Sequence, residues 1–291
     1  MASFRRAPYL SVGLALLFIG VDISLADEST FVQRLFRIPK DTSSAETAQQ
    51  SLQMLDELLV EAKKELRPDS FLIGDIFAAQ ATMQGFKPNP DLQKSRLAAA
   101  EAEAIFRKAL KQDSETLADR LKPFALLAQT VYRDFPDAER RYAECFALAD
   151  SGQVLGMIYP HNNALAEYKA GIGEAQFSQG KYKEAEDSFI RSVQYYMAGS
   201  YPGMQTNWYS FSTFRLSILY DLLGKPADEE YLYQHALERV LAKDSGSGWF
   251  IKMLDRYEAF LLRQKRPVQA ASVQAHRMSY LAEFNRRKGK L

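Results

Sequence analysis

One stretch limits the folds open to this chain: Glu167 to Tyr196, EYKAGIGEAQFSQGKYKEAEDSFIRSVQYY. In its second half Ala185, Phe189, Val193 and Tyr196 are spaced four, four and three residues apart, which places them on one face of an α-helix. Gly180 and Lys181 separate two helical patterns, and glycine takes the left-handed conformation that closes a helix end. Small residues stand where two helices of a hairpin approach most closely, Gly173 on the first and Ala185 on the second. A single hairpin of this kind cannot bury its apolar face alone and is stable only when stacked on others. Paler copies of the pattern run before and after it.

These residues resemble the tetratricopeptide repeat (TPR), whose signature has Gly at repeat positions 8 and 15, Tyr at 17, Ala at 20 and an aromatic residue at 24. Gly173, Gly180, Tyr182, Ala185 and Phe189 match those five positions, whereas Gln176 replaces Tyr at 11 and Ser192 replaces Ala at 27. In a helix expected over 92–111, Ala102, Phe106 and Ala109 take positions 20, 24 and 27. Ala138, Tyr142 and Cys145 do so over 137–150, after a turn, RDFPD, that reads as short and carries Pro136 where Gly is expected. Tyr220, Gly224, Tyr233 and Ala236 match positions 11, 15, 24 and 27 of the next pair, with Glu229 in place of Ala at 20. Ala270 holds position 20 of the last pair, 249–264 and 267–284. Residues 102, 138, 185, 229 and 270 lie 36, 47, 44 and 41 apart. The common TPR period is about 34, and the excess is similar to the longer repeats of kinesin light chain. The resemblance implies an all-α fold, an αα-hairpin solenoid (a TPR-like right-handed superhelix), with the helix over 45–66 as an N-terminal cap.

The expected boundaries follow from the breakers. Residues 1–26 read as a signal peptide: Arg5 and Arg6, the charge-free run Ala7 to Val21, then Ser24-Leu25-Ala26 with small residues at both cleavage-specificity positions. Fifteen residues are short for a spanning helix, which needs about 20; a retained anchor is the alternative. Cleavage removes Arg5, Arg6 and Asp22 and leaves a formally neutral chain starting at Asp27. The expected localisation is exported, periplasmic or secreted in a bacterial setting, with no stable membrane insertion after cleavage. Residues 27–44 read as an irregular tether interrupted by Pro39, 45–89 as a helical cap, 90–162 as diverged repeats, 163–285 as TPR-like repeats and 286–291 as a basic tail. Ser151 to Asn163, Gly199 to Gln205 and Ser245 to Gly248 read as connections.

Little in the chain points to chemistry. A formal charge of +1 offers no basic footprint for nucleic acid. The single Cys145 excludes an intramolecular disulfide and a cysteine-based zinc site; it reads as a buried thiol or as one open to intermolecular pairing. His161, His235 and His276 have no second histidine three or four residues away, so no helical metal pair exists. His161 either lines a ligand site or caps the following helix with Asn162 or Asn163. Gly171 to Gly173 lacks phosphate-loop spacing, and Ser178 with Lys181 has the SxxK spacing of some acyl-enzymes but no partner motif. No catalytic residue, metal or cofactor is assigned.

The remaining feature is aromatic. Tyr195, Tyr196, Tyr201, Trp208, Tyr209, Phe211 and Phe214 crowd one inter-repeat connection, either as packing or as anchors for a ligand. The TPR resemblance implies that first helices line a concave groove for a protein or peptide partner. On that basis the candidate binding residues are Trp208, Tyr209, Arg215, Lys252, Asp255 and Arg256, with Asp221 nearby. Arg215 and Arg256 have a second reading, as ion-pair partners of Asp255 or Asp221 across the repeat boundary. The Lys, Asn and Arg set of carboxylate-clamp TPRs is not found, so recognition of a free C-terminal carboxylate does not carry over. The alternative function is a small hydrolase or other enzyme with a pocket between helices.

Overall fold

The computed structural model describes residues 26–151, 158–199, 207–243 and 248–288. All regular structure among them is helical. Residues 1–25 of the expected signal peptide, Tyr201 and most of the expected connections at 199–205 and 245–248 lie outside the described residues. The chain divides into two compact units, Met1–Arg133 and Asp134–Leu291.

The N-terminal unit contains α1 (Ala26–Arg37), α2 (Ala45–Glu65), α3 (Phe71–Phe86), α4 (Leu92–Ala109) and α5 (Ser114–Leu127), which continues into a π-helical turn at Ala128–Tyr132. Helix α1 corrects the expected tether over 27–44. Phe31, Leu35 and Ile38 recur at helical spacing and are buried against Leu55, Leu58, Leu72 and Ile76 of α2 and α3. Pro39 ends that helix rather than preventing it. Ser44, Asp91 and Asp113 cap α2, α4 and α5, their side-chain oxygens accepting from the backbone N–H three residues on. At Gly74 a Cβ would come within 2.6 Å of the Phe106 ring, so a side chain there would force α3 and α4 apart. Asp75, also on α3, is buried and takes a hydrogen bond from the Arg120 guanidinium of α5. Ala109, expected at a small-residue packing position, is exposed because α4 stops there.

The C-terminal unit begins with α6 (Phe135–Ser151), followed by three hairpins: α7 (Ile158–Ser178) with α8 (Tyr182–Gly199), α9 (Asn207–Leu222) with α10 (Pro226–Lys243), and α11 (Gly248–Arg263) with α12 (Pro267–Lys288). Each successive helix packs on its neighbour, and the first helices α7, α9 and α11 also touch in sequence. Helix α7 starts inside the expected connection 151–163, because Pro160 falls in its first turn, where proline is tolerated. His161, Asn162 and Asn163 are therefore helical. Helix α12 likewise runs into the expected basic tail; cations in a last helical turn are favoured by the helix dipole.

A backbone regularity confirms the repeat register. Four described residues have left-handed φ: Arg133 (53°), Gly180 (76°), Gly224 (65°) and Lys265 (57°). Each stands five residues before Ala138, Ala185, Glu229 or Ala270, all of them buried. The turn at 133–136 is thus of ordinary length, and Arg133, not Pro136, takes the glycine role. Three turns close with the same bond, from the N–H of Lys181, Lys225 and Arg266 to the carbonyl five residues back, at 3.0, 2.8 and 2.9 Å. Those basic residues also tie hairpins together. Lys181 reaches Glu139 at 2.9 Å, Lys225 reaches Glu186 at 2.7 Å, and Arg266 reaches Glu230. Each glutamate directly follows the buried residue of the preceding second helix.

The core of the central hairpin follows the sequence stripe. Ala185 and Phe189 are fully buried, and a Cβ on Gly173 would stand 3.0 Å from the Phe189 ring. Gly171 is as confined, 2.7 Å from Tyr142 by the same construction. Cys145 is buried, which accords with an enclosed thiol.

Candidate binding face

Phe211, Phe214, Arg215, Ile218 and Leu222 fall on one face of α9, at intervals of three, one, three and four residues. The opposite side of α9, from Tyr209 and Thr213 to Leu216 and Tyr220, is buried. On α11 the corresponding face carries Lys252, Asp255, Arg256, Ala259 and Leu262 to Arg263. Leu222 and Leu262 are 56% and 54% exposed, large apolar side chains left open to solvent on neighbouring first helices.

Arg215 is the centre of this face. Its guanidinium lies 5.2, 5.6 and 6.0 Å from the ring centroids of Phe177, Phe211 and Phe214, within cation–π range. It also donates to Glu174 of α7, so one side chain ties α7 to α9. Glu174 is largely enclosed and its Oε2 has no partner, as is true of the Arg215 Nε. Desolvation pushes the Glu174 carboxyl up, with Arg215 opposing it. Trp249 closes the aromatic group, its ring 5.0 Å from Phe211 and 5.4 Å from Phe214, and the Lys252 ammonium stands 4.3 Å over that indole.

A second cluster lies between α9, α10 and α11. Arg256 donates to the Ser217 hydroxyl at 3.1 Å, to its carbonyl at 3.3 Å and to Asp221 at 3.1 Å. Arg263 reaches the same Asp221 at 3.5 Å. Of the two readings of Arg256, pairing with Asp221 is what the structure shows. Arg215 pairs with Glu174 instead of Asp255, which is held by Arg277 of α12 at 2.8 Å.

The structure therefore joins Arg215 and Lys252 in one aromatic cluster and sets Arg256 beside it. Asp255 turns toward α12. Tyr209 is not presented on the face at all: it is buried, its ring 5.6 Å from that of Tyr196, because it falls on the side of α9 that packs on α8. The side chain of Trp208 lies outside the described residues, as does that of His161. Most described aromatics of the 195–214 group are used in packing, with Tyr195 edge-on to Phe146 and Phe211 edge-on to Phe189. Glu174, Phe177 and Trp249 complete the face, Glu229 of α10 is buried beside Arg256 and Arg263, and sequence alone does not mark these four as site residues. Only Glu229 had left a sign, as a charged residue at a small-residue position.

Other sequence candidates have structural uses. Lys181 is engaged by Glu139 at a turn. His235 stacks on Tyr231 at 4.1 Å on the exposed side of α10. Among the described residues no group of His, Cys, Asp and Glu is placed to hold a metal ion. No described helix is long and apolar enough to cross a membrane.

Stacked αα-hairpins with left-handed turn residues and small residues at the closest approach define a TPR-like helical repeat fold. Comparison with solved structures gives the same result. The crystal structure of a Podosopora anserina chain described as a putative kinesin light chain with nearly identical TPR-like repeats matches with a TM-score of 0.52 at 14% identity, covering 74% of this chain and 92% of that one. A point variant of the same Podosopora anserina chain matches with the same score and identity, covering 74% and 91%. At that identity the likeness is one of fold. No family model matches the sequence, and no curated protein does.

Proposed function

We propose that this chain is an exported, non-catalytic scaffold that receives a protein or peptide partner on the first-helix face of residues 134–291. The observation that carries the reading is the Phe214, Trp249, Arg215 and Lys252 cluster on the same first-helix side as the exposed Leu222 and Leu262, which stand about two to three helical turns further along α9 and α11. Aromatic and arginine side chains are enriched among the residues that dominate binding energy. The charges are locally compensated, Arg215 by Glu174 and Arg256 by Asp221, so apolar contact supplies the affinity and the cations set orientation. Export is supported by the charge-free run of residues 7–21 and the small residues before Asp27.

A Leu222→Asp, Lys252→Ala double variant tests the binding reading. Both residues are exposed, so the variant is expected to keep the wild-type circular dichroism and melting temperature and to lose partners co-purified from the native envelope. A folded variant with an unchanged set of partners contradicts the assignment. N-terminal sequencing of the exported protein tests the cleavage of the signal, with Asp27 expected as the first residue. A protein that keeps Arg5 and Arg6 and behaves as membrane-integral is anchored instead.

A further inference from the structure

Glu229 holds the place that Ala138, Ala185 and Ala270 hold in α6, α8 and α12, and it is as buried as they are, at 2% exposed. A carboxylate there is unusual, because the position is selected for small size at the closest helix approach. Its surroundings on every side are defined. On its own helix, Tyr233 donates its hydroxyl to Glu229 Oε1 at 2.7 Å, while Glu230 is turned to Arg266, just ahead of α12. From α9 come Asp221 and Ser217, both bonded to Arg256. From α11 come Arg256 at 3.9 Å and Arg263 at 3.7 Å, with the Tyr257 ring stacked on Tyr233 at 4.7 Å. Both guanidinium distances exceed hydrogen-bond length, and both arginines are shared with Asp221, which lies nearer to each. The buried carboxylate thus has one hydrogen bond and a divided share of two cations.

We propose that Glu229 makes the joint between the α9–α10 and α11–α12 hairpins a proton-controlled contact, firmer in mild acid than at neutral pH. Ionised, Glu229 keeps a poorly compensated charge out of water at the point where three helices meet. Protonated, it is a neutral side chain of the same shape in the same space. The direction agrees with its surroundings: burial and the Asp221 carboxylate push the Glu229 carboxyl up, outweighing Tyr233, Arg256 and Arg263. A carboxyl raised on folding adds stability that is full below its unfolded value and is lost as the pH rises through its folded value. In a stacked array that effect stays local to the hairpins sharing the joint.

Amide hydrogen exchange of the full chain, followed over peptides of α9 to α12 from pH 7.5 to pH 4 and corrected for intrinsic rates, tests this. Glu229→Gln keeps an acceptor for Tyr233 without the charge. At pH 7.5 it is expected to slow exchange in α10 and α11 several-fold relative to wild type, and the two proteins should draw together as the pH falls and converge at pH 4, below the ordinary glutamate value of about 4.3. Glu229→Ala, which restores the residue found in the other hairpins, is expected to remove the pH dependence as well. Faster exchange in the Gln variant at pH 7.5 overturns the proposal, as does a wild-type to Gln difference that is the same at both pH values.

Discussion

Ala185→Leu probes the closest contact of the central hairpin. Ala185 is fully buried on α8, one turn before Phe189, whose ring would stand only 3.0 Å from a Cβ added at Gly173 of α7. Three added carbons have no space unless α7 and α8 separate or Phe189 leaves its rotamer. Overpacking of this kind costs about 1–3 kcal/mol. For a cooperative unit of this size each kcal/mol lowers the melting temperature by about 2–4 °C, so a fall of several degrees is expected by circular dichroism. Ala109→Leu is the matched control, since Ala109 is exposed at the end of α4 and the same added volume meets solvent. Its melting temperature should stay within about 2 °C of wild type, as surface changes usually do. An unchanged midpoint for Ala185→Leu, or an equal fall for both variants, would refute the packing argument.

Two further outcomes follow from particular residues. Lys265→Gly should stabilise the α11–α12 turn by about 0.5–1 kcal/mol, because φ of 57° strains a residue with a Cβ and costs glycine nothing; a lower denaturant midpoint would count against the left-handed assignment. Asp75 is pushed up to about 6 by burial, with Arg120 opposing it, so its contribution is full below the ordinary aspartate range and lost as pH rises through 6. Asp75→Asn should therefore flatten the dependence of unfolding free energy between pH 4 and 7 by up to ~3 kcal/mol, and equal slopes in the two proteins would contradict it.

How much was legible depended on how far each interaction reaches along the chain. Helix ends and the register of the hairpins rest on local signals such as Gly180, Gly224, Pro226 and Pro267, and these stand where expected. The turn at Arg133 was misread because a non-glycine residue adopts the left-handed conformation there, which composition does not reveal. Helix α1 was missed because Pro39 and the polar residues around it outweighed the stripe of Phe31, Leu35 and Ile38. The candidate face was legible only in part. Arg215 and Lys252 lie on the expected face, but the contacts that define it join residues about forty apart, such as Glu174 with Arg215 and Phe211 with Trp249. Tyr209 shows the converse: its place depends on the rotation of α9 against α8, which an aromatic cluster in sequence does not specify.

The most direct test of the central claim is site-specific photocrosslinking in the native host, with a crosslinking side chain placed in turn at Leu222, Leu262, Tyr231 and Val268. All four are exposed, at 56, 54, 62 and 83%. The first two lie on the first-helix face, whereas Tyr231 and Val268 stand on second helices. Crosslinks to one and the same partner from positions 222 and 262, and none from 231 and 268, are expected. Crosslinks from the second-helix positions alone would contradict the assignment of the first-helix face as the binding surface.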